Sequence, residues 1–469
     1  MTYILATFTK PAYNPQKRLN LLQLSIERFK NALVIDPFAL DAMFNLKQAL
    51  SNFGEICLDE VSNQAAIPLF GEACKLGEKL FKLQEEVYIR EKNEEENQQN
   101  SDNYGKESSN MEIDSNNISQ SNEQEKNTNP SNVEKEEIYG EKGENITINT
   151  LIETLTTNAE DLSNLSSITE DPTESQNLFN KAVEILQKAE NLAQLYQEEL
   201  KNKRNENNNN KNYNKNKNNE EEEFTEVEID LNIIDSTYAT ILSKNGEHLF
   251  NSMGIFDAMF FEKALEHQNR VIQRIVPENS NSLVIYHQKA KELCNKGDIL
   301  CSFAEIIINN GESIDEHSLS QELYREALSV YEKALTYEES NHSIICKIGD
   351  MKLILANCYL LLSQNKFDEP YHIMLQLIRQ GLDKYKIALK NNFNSYEQQP
   401  VEPEIYLRIA KGLSYYDNSM DHCKKMLQKF IEMGGDFEMM DNDRQYVNFD
   451  FSDDIRNVPW FVEKMNQLE

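Results

Sequence analysis

The residues best suited to chemistry in this sequence are its seven cysteines and seven histidines. No two cysteines have the C-x-x-C spacing of a zinc or redox site, and no histidines form the H-E-x-x-H pattern of a metalloprotease. His422 and Cys423 come nearest to a catalytic pair, but adjacent residues on a helix point in different directions. The cysteines lie in apolar helical patterns, which predicts reduced thiols in the core of a protein from a reducing compartment.

Other catalytic patterns are also missing from the sequence. It contains no glycine-rich phosphate loop and no G-x-S-x-G nucleophile elbow. Pairs of carboxylates are so frequent in this acidic chain that they carry no information. We therefore predict a protein without catalytic residues, cofactor or metal, although a site assembled from distant residues stays open as an alternative.

The charge of the chain restricts its partners. Lys and Arg number 47 against 79 Asp and Glu, a net charge of -32. Such a surface repels phosphate groups, so we expect neither nucleic acid nor an anionic membrane as a partner, while a basic protein is favoured. The N-terminus lacks the pattern of a secretory signal, and the most apolar stretch, 351–362, is too short to span a bilayer. We expect a cytoplasmic or nuclear protein.

Two polar segments interrupt the sequence. Residues 91–150 contain 15 acidic and 5 basic residues among many Asn, Ser and Gln. Residues 201–219 are mostly Asn and Lys, and a run of glutamates follows at 220–223. Neither segment has enough apolar residues to form a core, so we predict disordered insertions at 92–148 and 201–226.

The rest of the sequence is typical of an all-α protein. Apolar residues recur at spacings of three and four, and alternation typical of strands is nearly absent. Short connections between the segments favour antiparallel neighbours, and therefore a stack of helix pairs. The predicted helices are 18–36, 39–54, 62–90, 149–168, 174–202, 230–252, 256–275, 280–309, 318–338, 343–363, 370–391, 403–416 and 419–433.

One spacing recurs within these helices. A small residue is followed four positions later by an aromatic and three positions after that by Ala, which places the three side chains on one helix face. Small residues allow a neighbouring helix to approach closely, and the aromatic fills the remaining space. The four copies are Ser25/Phe29/Ala32, Ala66/Phe70/Ala73, Ala327/Tyr331/Ala334 and Gly381/Tyr385/Ala388.

This spacing resembles the second helix of a tetratricopeptide repeat, and in the first copy Asp36-Pro37 resembles the turn that closes the repeat. The family's first-helix pattern is represented at Leu46, Leu50 and Gly54, with Lys47 where the family has a small residue. Similar first-helix patterns are Phe303/Ala304/Ile307/Gly311 and Leu355/Ala356/Tyr359. The resemblance implies an antiparallel helix-pair solenoid. It is weakest at 149–290, where another helical-pair repeat stays open.

The repeats are irregular. The family's period is about 34 residues, yet Ser25 and Ala66 are 41 residues apart and Ala327 and Gly381 are 54 apart. The C-terminal Trp460 resembles part of the capping segment that follows the last repeat. The predicted organisation is N-terminal repeats at 1–91, an insertion at 92–148, a helical pair at 149–200, an insertion at 201–226, C-terminal repeats at 227–434 and a cap at 435–469.

The resemblance also implies a binding groove lined by the first helix of each pair. Its candidate residues here are Phe44, Gln48, Cys301, Glu305, Leu353, Asn357, Leu407 and Lys411. Family members that bind chaperone tails hold a carboxylate with Lys and Asn at these places. In this chain Gln48 is only a rough substitute and Glu305 has the wrong charge, so a neutral or basic peptide is preferred.

These observations favour a non-catalytic protein-interaction scaffold or adaptor. One alternative is a histone-chaperone-like protein that binds basic partners, because some histone chaperones have an acidic tract inserted in their tetratricopeptide repeats. A second alternative is an enzyme built on a helical-repeat scaffold. The identity of the partner and the oligomeric state do not follow from the sequence.

Overall fold

Thirteen helices make up nearly all of the part of the chain that the computed structural model describes, and no strand occurs there. They form two compact units, residues 1–230 (unit 1) and 231–469 (unit 2), and the boundary lies within one long helix. The protein is all-α, as predicted. The described residues are 15–107, 146–209, 217–275, 283–310, 314–364, 367–394, 402–416, 420–436 and 439.

Unit 1 contains five complete helices, and short turns join most of them to the next. Consecutive helices pack against each other, so α2 with α3 and α4 with α5 form antiparallel pairs. We call α2 and α4 first helices, and α3 and α5 second helices. The five are α1 (Pro15–Ile35), α2 (Leu40–Glu60), α3 (Asn63–Glu107), α4 (Ile148–Ile168) and α5 (Pro172–Asn209).

Unit 2 repeats this arrangement. Its first helices are α8, α10 and α12, and their antiparallel second helices are α9, α11 and α13. Asn341 begins α10 by accepting a hydrogen bond from the Ile344 backbone N–H. The helices are α6 (Lys217–Met253), α7 (Ala258–Arg274), α8 (Leu283–Asn310), α9 (Ile314–Tyr337), α10 (His342–Leu362), α11 (Glu369–Asn394), α12 (Pro403–Ser414) and α13 (Met420–Glu432).

The repeated small–aromatic–Ala spacing lies in the core of the pairs. Ala66, Phe70 and Ala73 are fully buried in α3, and the copies in α9 and α11 are equally buried. The absence of a side chain at Gly54 allows α2 to lie against the Phe70 ring, because a Cβ atom at this position would lie 2.8 Å from Phe70 Cζ. The first copy is less buried, with Phe29 half-exposed, because α1 packs mainly on α2. The helix-pair stacks are therefore held together as the spacing predicts.

Helical structure extends into the ends of both predicted insertions. Helix α3 continues to Glu107, α5 continues to Asn209, and α6 begins at Lys217. These extensions are rich in Asn, Glu and Lys. Glu and Lys favour a helix, and a helix already started by packing continues into such a polar sequence at little cost. Residues 108–145 and 210–216 lie outside the described residues.

Two further predictions concern the C-terminal cap and membrane-spanning segments. The C-terminal cap at 435–469, with Trp460, lies outside the described residues except for Gly435, Asp436 and Met439. No helix in the described ranges combines the length and the hydropathy needed to cross a bilayer.

Candidate functional site

A polar strip runs along the first helices of unit 1, and we call it the acidic stripe. Its residues recur at spacings of four and three, so they share one face of each helix. They are exposed or half-exposed, whereas most positions between them are buried. The acidic stripe consists of Asp41, Asn45, Gln48, Asn52 and Glu55 on α2, and of Glu153, Thr157, Glu160 and Asn164 on α4.

The charge of the acidic stripe is one-sided. Helices α2 and α4 contain one basic residue, Lys47, and its side chain is buried. Partial desolvation raises the pKa of the Glu153 carboxyl, and the positive charge of Lys47 opposes this effect. Because the accessible charges of these two helices are all negative, the surface attracts cationic groups.

Beneath the acidic stripe, a buried ion pair joins α2 to α4. Lys47 Nζ lies 2.6 Å from Asp161 Oδ2, and the two side chains are only 1% and 3% exposed. The second helix α3 leaves room for the pair at Gly77, where a Cβ atom would lie 3.1 Å from Lys47 Cε and 2.5 Å from Asn158 Oδ1. The pair connects α2, which precedes the long acidic insertion in the sequence, to α4, which follows it.

Further polar side chains are buried on α3 and α4. Gln84, Thr154 and Asn158 are at most 3% exposed, and a side-chain oxygen of each has no hydrogen-bond partner within the described residues. We call these three residues, together with Lys47 and Asp161, the polar seam. Buried polar groups that find no partner are costly, so this seam stabilises unit 1 less than an apolar layer of the same size.

The predicted groove residues of unit 1 lie on or beside the acidic stripe. Gln48 belongs to it, and Phe44 is half-buried one position before Asn45. The structure therefore places both residues on the accessible side of a first helix.

The predicted groove residues of unit 2 are divided between surface and core. Glu305 is exposed on α8. Partial desolvation raises the pKa of its carboxyl, and the negative charge of the nearby Glu247 raises it further. Asn357 on α10 is half-buried. Cys301 is half-buried beside the Tyr331 hydroxyl, with 3.6 Å between sulfur and oxygen.

Leu353, Leu407 and Lys411, by contrast, are not on an open face. Leu353 and Leu407 are at most 1% exposed and belong to core clusters, and Lys411 is 8% exposed. Leu353 packs in a core cluster with residues of α11 and α12, and Leu407 packs in a cluster with residues of α13. Of this predicted groove, Glu305 is therefore exposed, and Cys301 and Asn357 are partly exposed.

A third polar cluster lies where α6 meets α7 in unit 2. Asp235 is bound by His267 Nδ1 and Arg274 Nη1, each at 2.6 Å, and Arg270 is 3.5 Å away. Burial raises the pKa of the Asp235 carboxyl, but the hydrogen bonds and the guanidinium charges outweigh it and hold the pKa below its usual value. The carboxylate joins α6 to α7 and is already fully partnered.

The predicted thiols are not activated. No disulfide joins any of the seven cysteines. Burial raises the pKa of Cys423 to about 12, and its thiol donates to the Ala410 carbonyl oxygen at 3.2 Å, whereas His422 is exposed. Within the described residues, no group of three or more His, Cys, Asp or Glu side chains is arranged to hold a metal ion.

Sequence reasoning missed the polar seam, although one signal was present. Lys47 occupies a position where the tetratricopeptide pattern has a small residue. A small residue in that pattern indicates a position between packed helices, so a lysine there is unusual. Its partner Asp161 was not identifiable, because the two residues lie on opposite sides of the long insertion.

Comparisons with known proteins give only distant similarities. No family model and no curated protein matches the chain. Among solved structures, a circular tandem repeat protein with a novel repeat topology is 11% identical, covers 99% of this chain and 84% of its own, and has a TM-score of 0.31. BtubC (BKLC) from P. vanneervenii is 14% identical over 62% of this chain and 80% of its own, with a TM-score of 0.25. Nro1, described as a hypoxic regulator of sterol synthesis and a nuclear import adaptor, is 11% identical over 80% of this chain and 95% of its own, with a TM-score of 0.29.

Proposed function

We propose that this protein is a non-catalytic protein-interaction scaffold that acts in the cytoplasm or nucleus, and that the acidic stripe of unit 1 binds a basic segment of a partner protein. The observation that carries this proposal is the one-sided charge of α2 and α4, whose only basic residue is buried against Asp161. The unpaired state of all seven cysteines is in keeping with a reducing compartment.

The dimensions of the acidic stripe suit a short segment. From Asp41 to Glu55 the helix rises roughly 21 Å, which is the length of about six residues of extended chain. Carboxylates at both ends and amides between them provide acceptors for Lys and Arg side chains and for backbone N–H groups. A one-sided field also raises the rate at which cationic segments encounter the surface.

Removal of two stripe charges tests this proposal. In the variant Asp41→Asn/Glu153→Gln, we expect about fivefold weaker binding of a Lys/Arg-rich peptide at low salt, because each lost charge removes a modest attraction. Neither carboxylate makes an ion pair with another described residue, so the substitutions leave the fold intact. Fluorescence anisotropy of a labelled peptide with the full chain measures the change.

The matched control is Glu184→Gln/Glu198→Gln, which removes the same net charge from exposed positions on the second helix α5. Its peptide affinity is expected to equal that of the unmodified chain. Equal weakening by both double variants would mean that only overall charge matters, and the acidic stripe would lose its role as the binding site.

A second candidate function is that of an acidic chaperone for basic proteins such as histones. It is favoured by the composition of residues 91–150, with 15 acidic and 5 basic residues. If this function is correct, deletion of residues 108–145 abolishes salt-sensitive recovery of histones in a pull-down. The deletion leaves recovery unchanged if the acidic stripe is the binding site.

A further inference from the structure

A Gly-Asp dipeptide occurs in two successive first helices of unit 2, and a tyrosine of the following second helix packs on each glycine. A Cβ atom at Gly297 in α8 would lie 2.6 Å from Tyr331 Cζ, and one at Gly349 in α10 would lie 3.0 Å from Tyr385 Cε1. The missing side chain therefore allows each aromatic ring to lie against the backbone of the first helix.

Each tyrosine hydroxyl then donates a hydrogen bond to the aspartate of its dipeptide. Tyr331 Oη lies 2.6 Å from Asp298 Oδ1, and Tyr385 Oη donates to Asp350 Oδ1 in the same manner. Both acceptors are carboxylates, so these hydrogen bonds are stronger than those between neutral groups.

A cation from the next first helix completes each group. Lys347 of α10 binds Asp298 of α8, and Arg408 Nη1 of α12 lies 2.9 Å from Asp350 Oδ1 of α10. Each carboxylate thus connects a first helix, its own second helix and the first helix of the following pair. We call Asp298/Tyr331/Lys347 the N-terminal tie and Asp350/Tyr385/Arg408 the C-terminal tie.

The two ties differ in their access to water. The side chains of Asp298 and Lys347 are 47% and 33% exposed, whereas those of Asp350 and Arg408 are 14% and 13% exposed. Salt screens exposed charges much more strongly than buried ones. Added salt therefore weakens the N-terminal tie and leaves the C-terminal tie largely intact.

The last helix pair has no tie of this kind. In α12 the dipeptide is replaced by Ala410 and Lys411, and the buried aromatic of α13 is Phe430, which has no hydroxyl. Within unit 2 the ties thus occur at the two places where one described first helix is followed by another, which is what a connection between successive pairs requires.

We infer that the two ties fix the spacing of successive first helices in unit 2 and form a graded conformational device, in which the α8–α10 junction loosens with salt and the α10–α12 junction does not. This inference is independent of the acidic stripe. The spacing between α10 and α12 then stays fixed, whereas the spacing between α8 and α10 changes with the salt concentration.

Hydrogen exchange of the full chain, followed by mass spectrometry of peptides from α8 to α12, tests the device. Tyr331→Phe and Tyr385→Phe each keep the ring on its glycine and remove one hydrogen bond to a carboxylate, so we expect about tenfold faster exchange at the corresponding junction. In the unmodified chain, added salt is expected to speed exchange at the α8–α10 junction only.

Tyr406→Phe is the matched control, because Tyr406 is buried in α12 and its hydroxyl makes no hydrogen bond within the described residues. Its exchange is expected to match the unmodified chain. The inference is overturned if Tyr331→Phe and Tyr385→Phe exchange no faster than this control, or if salt affects both junctions equally. Asp350→Asn supplies a second measurement at the C-terminal tie, and unchanged exchange there would overturn the inference as well.

Discussion

Replacement of Lys47 by Met, with Asp161 retained, is expected to lower the free energy of unfolding of unit 1 by about 3–5 kcal/mol. The substitution keeps most of the side-chain volume but leaves the Asp161 carboxylate buried, 3% exposed, without its cation. An uncompensated charge in such a position costs far more than the lost attraction alone. Native-state hydrogen exchange of α2 and α4 peptides measures the loss.

The double variant Lys47→Met/Asp161→Leu distinguishes the charge effect from a packing effect. Because both charges are then absent, most of the lost stability is expected to return. A double variant that is as unstable as the sum of the single variants would contradict this explanation. Lys181→Met serves as the surface control, since the Lys181–Glu78 pair is 48% and 39% exposed and is expected to contribute less than about 1 kcal/mol.

The second large effect is expected for Gly297→Ala, which should destabilise unit 2 by about 1–3 kcal/mol. The added methyl group would meet the ring of Tyr331, which is 2% exposed and therefore unable to move aside without disturbing its neighbours. Displacement of the ring also weakens its hydrogen bond to Asp298. Chemical denaturation followed by circular dichroism measures the change.

Gly71→Ala is the control for this prediction. Gly71 lies in α3, and a Cβ atom there would have no neighbour within 4 Å. Alanine has the higher helix propensity, so this substitution is expected to stabilise unit 1 by about 1 kcal/mol. Destabilisation by both substitutions to a similar extent would rule out the close contact with Tyr331 as the cause of the Gly297 effect.

All thirteen helices were predictable from the sequence, because apolar spacings of three and four are a local property of an amphipathic helix. The spacing at Ala327, Tyr331 and Ala334 even identified which residues are fully buried. Helix ends were less predictable. Once packing has started α3, its polar extension to Glu107 costs little, and polar composition alone does not reveal this.

The candidate site was only partly predictable. Gln48 lies partly exposed on α2, as is usual for a polar residue among apolar neighbours on a helix. Lys411 is likewise a polar residue among apolar neighbours on a first helix, but it is buried. The packing of neighbouring helices, which the local sequence does not show, determines this difference in exposure between Gln48 and Lys411. The ties were missed for a similar reason, since Asp350 and Arg408 are 58 residues apart and meet only through tertiary structure.

The ties also bear on how such a chain can change in length during evolution. At each junction one helix pair supplies the carboxylate, Asp298 or Asp350, and the next helix pair supplies the cation, Lys347 or Arg408. Both junctions therefore join a carboxylate to a basic side chain. If the pair α10–α11 were lost, Asp298 and Tyr331 would be followed by α12, which brings Arg408 in place of Lys347. Loss of this inner pair therefore leaves the remaining carboxylate with a cation, and the array can be shortened in steps of one inner pair.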